Sequence, residues 1–192
     1  GASGYAGAEL IRYLLAHPRA EITYLASDTY EGRHISDAFP GFLGQDLPLC
    51  EKFDPAKAAN KADFFFLAQG NGQGMKTAPA LIESGKKIVD VPADFRLKNL
   101  ALYKQHYGID HTAPELVAEA VYGISELHAK EIAGARIVAN PGCYATSAIL
   151  ALAPLVSRKL VDLESIIIDS KSGVSGAGRS KVEVSGLFCE VN

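Results

Sequence analysis

The chain has no tryptophan, one methionine and only three cysteines in 192 residues. Cys50, Cys143 and Cys189 are odd in number and widely spaced, with no CxxC pair and no metal-ligand spacing. That argues against a disulfide scaffold and against a zinc site, and no metal is expected. Sparse, unpaired cysteines fit a reducing, cytoplasmic setting. Charge of one sign is also lacking: 19 Lys and Arg face 22 Asp and Glu, for a formal net charge of -3. There is no basic stripe for nucleic acid and no cationic face for a membrane surface. No apolar run approaches the length that spans a bilayer, and neither low-complexity segments nor internal repeats are visible. What is present is a 48% share of hydrophobic residues, enough to bury a core. The length suits one large domain, or one domain and part of another.

The chain then divides into units. "YAGAELIRYLLAHP" places Ala6, Leu10 and Leu14, and Ile11 and Leu15, at helical spacing before Pro18. "EITYLAS" (21–27), "ADFFFLA" (62–68), "KIVDVPA" (87–93) and "ARIVAN" (135–140) read as strands. "GMKTAPALIESG" (74–85) reads as a helix, although Pro79 would sit better in a first turn. A long helix is expected from Cys143, anchored in the core by "SAILALAPL", and a new strand from "ESIIIDSKSG" (164–173). Alternating strands and helices predict an α/β fold: a Rossmann-type parallel sheet with helices on both faces. The pattern changes near residue 141. The expected division is a dinucleotide-binding domain over 1–141 and the start of an α+β catalytic domain over 142–192.

Gly1, Gly4 and Gly7 form a Gly-x-x-Gly-x-x-Gly loop ahead of the first helix. Glycine lets a backbone turn sharply and approach a pyrophosphate, and a helix N-terminus attracts the anion. Ser3 can add a hydroxyl. Such a loop can also be a plain turn, and the fingerprint requires a strand before it. None precedes Gly1 in this sequence, so the first strand of the sheet is expected to lie outside it. The βαβ-like sequel favours the dinucleotide reading. At the end of the second predicted element, Asp28 argues for NAD, whereas Ser27, Thr29 and Arg33 can be read for NADP.

"ANPGCYATSAILALAPL" (139–155) puts Cys143 behind an Asn-Pro-Gly turn and at the mouth of a helix. A helix N-terminus favours thiolate over thiol, and Gly142 and Ala145 would leave the sulfur accessible. That is a setting for covalent catalysis on an acyl group; the plain alternative is a small buried hydrophobe. Cys50 and Cys189 lack the turn-and-helix context and read as packing residues. A thiolate beside a dinucleotide domain narrows the chemistry to reduction of an activated acyl group through a thioester.

"ANPGCYAT", with "SKSGVSGAGR" downstream, resembles the N-acetyl-gamma-glutamyl-phosphate reductases of arginine biosynthesis. "GASGYAGAEL", "EGRHISDAFP", "VPADFRL", "AVYGISEL" and "FCEVN" resemble that family's segments in the right order. The resemblance implies a two-domain, NADPH-dependent enzyme that reduces N-acetyl-glutamyl 5-phosphate, a small acyl phosphate, to the semialdehyde. It implies no nucleic-acid or membrane partner, and a homo-oligomer in the complete protein. By matching motif it gives Cys143 the nucleophile role. Gly1, Ser3, Gly4, Tyr5, Ala6, Gly7, Ser27, Ser172, Gly173 and Gly176 would line the cofactor, and Arg96, Asn140 and Arg179 the substrate. The family's catalytic histidine would fall beyond residue 192, so these residues alone are expected to be inactive and poorly stable. His17, His34, His106, His111 and His128 stand outside its motif and read as surface or packing residues.

Three departures accompany the resemblance: Asn71 where the family usually has histidine, Pro92 where it has serine, and Asp28 where it often has a basic residue. Rival readings are an aspartate-semialdehyde dehydrogenase, whose cysteine usually lies in an Asn-Cys string, and a reductase of the longer N-acetyl-aminoadipyl phosphate. One methylene is worth only about 1–3 kcal/mol of discrimination. A non-enzymatic rival is a nucleotide-sensing module.

Overall fold

The computed structural model describes residues 1–179. Strands β1 (Leu25–Ala26), β2 (Cys50–Glu51), β3 (Phe64–Leu67), β4 (Lys87–Asp90), β5 (Val121–Tyr122) and β6 (Ile137–Ala139) are interleaved with seven α-helices. The helices are α1 (Tyr5–Leu15), α2 (Pro55–Lys61), α3 (Gly74–Glu83), α4 (Leu100–Tyr107), α5 (Pro114–Glu119), α6 (Ser125–Gly134) and α7 (Cys143–Ser157). Every strand pair is parallel. One sheet runs β3-β4-β6-β5 and a second pairs β1 with β2. This is the α/β arrangement that the alternating pattern predicts.

Register decides where function can sit. Leu67, Asp90 and Ala139 lie level across β3, β4 and β6. The segments that follow them, "AQGNGQG", "VPADFR" and "NPGC", therefore leave the sheet at one edge. The glycine loop joins them there. The Ala2 N–H donates to Ala26 O (2.9 Å), and a Cβ on Gly1 would fall 1.8 Å from Ala68 O. Residues 1–2 are thus wedged between the ends of β1 and β3. Ligands of open α/β sheets bind outside the carboxyl ends of the strands.

Two cores hold this frame. Phe65, Leu67, Ile88 and Ile137 from one sheet face pack with Met75, Ala78 and Leu81 of α3, Ala58 of α2, Tyr103 of α4 and Leu116 of α5. Ile11 of α1 packs with Leu25, Ile35 and Cys50 in a second cluster. Cys50 is fully buried, in accord with its reading as a packing residue. Cys189 lies outside the described residues. Phe64 and Phe66 point the other way from β3 and remain 47% and 37% exposed.

Four expectations need correction. The first strand is only two residues long, because β1 pairs with β2 alone, at Leu25 and Ala26. Residues 166–173 form no strand among the described residues; no neighbouring strand pairs with them, and Ile167 is 93% exposed. Helix α7 forms as expected and is apolar on every side, yet none of its residues is buried, so "SAILALAPL" is only partly covered rather than anchored in a core. Pro79 sits inside α3, past its first turn. Proline has no N–H for the Met75 carbonyl one turn back. Thr112 Oγ1 lies 3.5 Å from that carbonyl and donates to it instead.

Asp94 fastens α3 to the β4 exit. Its buried carboxylate accepts from the Gly72 N–H (2.7 Å), the Met75 N–H (3.1 Å) and the Tyr103 hydroxyl (2.9 Å). The carboxylate caps a helix from 19 residues away in sequence. Removing it leaves three buried donors unpaired. Asp94→Ala is expected to lower the unfolding free energy of the full-length gene product by about 3 kcal/mol, read from urea titration. It should also raise amide exchange in the first turn of α3 ahead of the rest.

Candidate active site

The glycine loop is built for close backbone approach. The Gly4 N–H donates to Gly1 O (3.2 Å), and the Ala8 N–H to Gly4 O (2.9 Å). A Cβ on Gly7 would fall 2.3 Å from Gly1 O and 2.7 Å from Ala2 O, so α1 packs on the loop only with glycine there. Gly4 is different: a Cβ would meet only Gly1 O, at 3.5 Å. Its bareness is not required by packing and leaves the loop surface open to a ligand. Gly4 is also the N-cap of α1 and provides no side-chain cap, and the first turn carries no acidic residue. Tyr5, Ala6 and Gly7 form that turn. These features fit an anionic pyrophosphate.

Ser3 and Ser27 meet. Their hydroxyls are 2.8 Å apart, linking the loop to the end of β1. Ser27 is buried and also accepts from the Tyr30 N–H at 3.4 Å. Asp28 and Thr29 are exposed beside it. Arg33 is engaged elsewhere, donating from Nε to Asp37 (2.7 Å) and lying 5.3 Å from the Tyr30 ring.

Cys143 is the first residue of α7 and is exposed. Gly142 is the N-cap, with no side-chain cap. The Asn140-Pro141-Gly142 turn is fixed from two sides. The Asn140 N–H donates to Asp90 O (2.8 Å). Arg96 donates from Nε to Asn140 O and from Nη2 to Val91 O, both at 2.7 Å. Its Nη1 lies 3.2 Å from the place a Gly142 Cβ would take. Arg96 therefore joins the β4 exit to the cysteine turn. Asn140 donates from Nδ2 to Pro141 O (3.1 Å).

The downstream loop reaches the sulfur. Ser172 Oγ lies 3.6 Å from Cys143 Sγ. Gly173 leads into a short 3-10 turn, Val174–Ala177, that contains Gly176. The Arg179 guanidinium stacks on Phe39 at 5.3 Å. Cys143, Asn140, Arg96 and Ser172 are thus linked by direct contacts, and the Gly1–Gly7 loop shares their sheet edge. Ser27 binds into the glycine loop through Ser3. Arg179 leads instead to the segment around Phe39. His111 contacts Asp94 O (2.8 Å) and packs edge-on against Phe95 and Tyr103.

Asp90 and Asp94 escaped the sequence reading. The signal was there: two acids bracketing the small apolar string Val-Pro-Ala. Both are fully buried. A Cβ on Gly74 would fall 2.3 Å from Asp90 Oδ1 and 3.1 Å from Asp94 Oδ2, so the two carboxylates flank one glycine. Neither Asp90 oxygen has a well-formed hydrogen bond. Burial, reinforced by the Asp94 charge and only partly opposed by Arg96 and the Asp94 backbone N–H, pushes the Asp90 carboxyl up to about 7.

The comparisons define the class first. The semialdehyde dehydrogenase NAD-binding domain matches residues 1–135, and the dimerisation domain of the same enzymes matches residues 143–192. The chain belongs to the semialdehyde dehydrogenase family. Among its relatives, N-acetyl-gamma-glutamyl-phosphate reductase of Pelotomaculum thermopropionicum is 47% identical over 192 residues, all of this chain and 55% of that protein. The protein of the same name from Desulfotalea psychrophila is 45% identical over the same lengths. The chain spans about half the length of these relatives. Aspartate semialdehyde dehydrogenase II of Vibrio cholerae shares the fold at a TM-score of 0.64 and 22% identity, covering 97% of this chain and 49% of its own. The corresponding Candida albicans enzyme, solved with NADP, aligns at a TM-score of 0.56 and 17% identity, covering 82% and 45%. Among the described residues no helix is long and apolar enough to cross a membrane.

Asp90 makes stability depend on pH. The folded protein keeps this proton up to about pH 7, whereas an ordinary aspartate releases it near 3.8. Its contribution is whole below 3.8 and is lost as pH rises through 7. The loss is at most about 4 kcal/mol. Asp90→Asn removes the titration. The fall in melting temperature from pH 5 to pH 8 should shrink in this variant, and an unchanged slope would show that Asp90 is not the group responsible.

Proposed function

We propose that the protein reduces N-acetyl-glutamyl 5-phosphate to N-acetyl-glutamate 5-semialdehyde and phosphate with NADPH, a step of arginine biosynthesis. One observation carries the reading. An exposed cysteine opens a helix behind a braced Asn-Pro-Gly turn, at the strand edge that also holds an open glycine loop. The names of the 47% and 45% identical relatives support the substrate. Residues 1–141 would form the dinucleotide-binding domain and 142–192 the start of the catalytic and dimerisation domain. The working enzyme would be a cytoplasmic homo-oligomer.

In this reading the Cys143 thiolate attacks the acyl carbon. A C–S bond forms, and phosphate departs with the C–O electron pair and takes a proton from solvent. The acyl group is left as a thioester on Cys143. The hydride that reduces that carbonyl carbon would come from NADPH held on the glycine loop. The C–S bond then breaks, its electron pair returns to Cys143 as thiolate, and the aldehyde leaves. Gly1, Gly4 and Gly7, with Ser3, Tyr5 and Ala6, would hold the pyrophosphate by backbone approach, and Ser27 would support the loop from below. Gly173 and Gly176 would close over the cofactor. Arg96 keeps the cysteine turn in place and Asn140 would meet the substrate; Arg179 would have to leave the Phe39 ring to do so.

The assay runs in reverse on the full-length gene product: phosphate-dependent reduction of NADP+ and of NAD+ with N-acetyl-glutamate semialdehyde. Wild type should turn over with NADP+ preferred, and Cys143→Ser should lose at least about 1,000-fold. Turnover of aspartate semialdehyde alone would replace the substrate assignment, and nucleotide binding without turnover of either would favour the sensing module.

A further inference from the structure

We infer that the Ser172 hydroxyl is a catalytic group that donates a hydrogen bond to the Cys143 sulfur whenever that sulfur is anionic. The inference rests on the proposed nucleophilic role of Cys143 and assigns Ser172 to the reacting atom rather than to the cofactor.

The geometry is specific. Ser172 Oγ stands 3.6 Å from Cys143 Sγ, within reach for a hydrogen bond to sulfur. Among the described residues its only other partner is the Gly173 carbonyl, at a long 3.4 Å. Between a thiol and a hydroxyl either atom can donate. A thiolate has no proton, so the hydroxyl must. The space for that hydroxyl is preserved by the neighbouring turn: a Cβ on Gly176 would fall 2.6 Å from Ser172 Oγ. A glycine thus stands where any side chain would push the hydroxyl from its place beside the sulfur.

The other charged and titratable groups around the sulfur are committed or do not face it. Lys171 pairs with Asp169 at 2.5 Å. Arg96 spends Nε and Nη2 on backbone carbonyls, with Nη1 against Gly142. Arg179 lies on Phe39. Tyr144, the next residue of α7, is exposed. Among the described residues Ser172 is the side chain with a hydrogen-bond contact to Sγ. A hydrogen bond to the charged form favours that form. The sulfur is anionic at two moments in the proposed cycle, before it attacks the acyl carbon and as the aldehyde leaves. In the thioester it carries no charge, and the hydroxyl is released.

The test follows the rate of Cys143 alkylation by iodoacetamide against pH, by mass spectrometry of the Cys143 peptide of the full-length gene product. Ser172→Ala should raise the midpoint by about one unit, because hydrogen bonds to charged groups are the stronger kind. The plateau rate at high pH should hold or rise slightly, since a less stabilised thiolate is the better nucleophile. Ser172→Thr should restore the midpoint, and Gly176→Ala should move it as Ser172→Ala does. An unmoved midpoint in Ser172→Ala, or a lower plateau with the midpoint fixed, would overturn the inference. Alkylation requires no turnover, so failure of the substrate assay would leave this result readable. A shifted midpoint alongside a Cys143→Ser variant that still turns over would reject the nucleophile role alone.

Discussion

At the cysteine end of the site one side chain braces the turn, the Arg96 guanidinium between Val91 O and Asn140 O. It ties Arg96 to a carbonyl 44 residues further on. A proline-glycine turn has few contacts of its own, and without a tether the cysteine at its end would move with the turn. A planar guanidinium is suited to the task, because its donors are fixed in direction and reach two carbonyls at once. Behind it stands Asp94, which fixes the start of α3 to the same exit from β4. Arg96 and Asp94 are two residues apart in the string "ADFR", so a few residues of one loop hold both the neighbouring helix and the cysteine turn.

The fold was readable where period and length agree. The runs at 62–68, 87–93 and 135–140 are compact, apolar and bounded by turn formers, and each contains a strand. The two-residue strands β2 and β5 could not be read, and of the run at 21–27 only Leu25 and Ala26 pair, since so short a strand shows no alternation and owes its state to neighbours. Helix α2 could have been found: Asp54 caps it by accepting from the Lys57 N–H, and Pro55 follows at the first helical position. The run at 164–173 misled because β-formers make a strand only beside a partner. The site was legible in part. Asn-Pro-Gly-Cys announces a helix mouth without any structure, whereas Asp90 and Asp94 do their work through tertiary contacts that no spacing reveals.

The two ends of the site differ in how they are made. The glycine-loop end is shaped by absences: bare glycines allow backbones to touch, and Gly4 leaves a surface unfilled. The cysteine end is shaped by committed side chains, where Arg96 and Asn140 already bond to the backbone. Substitution at Gly1 or Gly7 adds atoms where there is no room, and at Gly4 it fills the open surface. Substitution at the cysteine end removes atoms that restrain a loop.

The interior proline of α3 carries a consequence for substitution at two positions. Pro79 deprives the Met75 carbonyl of its helical donor, and the Thr112 hydroxyl takes that place while the Thr112 N–H approaches the Met75 sulfur. The two positions are chemically coupled. An ordinary helix former at 79 would return the N–H that the Met75 carbonyl lacks and release position 112 from supplying a hydroxyl, whereas with the proline in place the Thr112 hydroxyl is that carbonyl's donor.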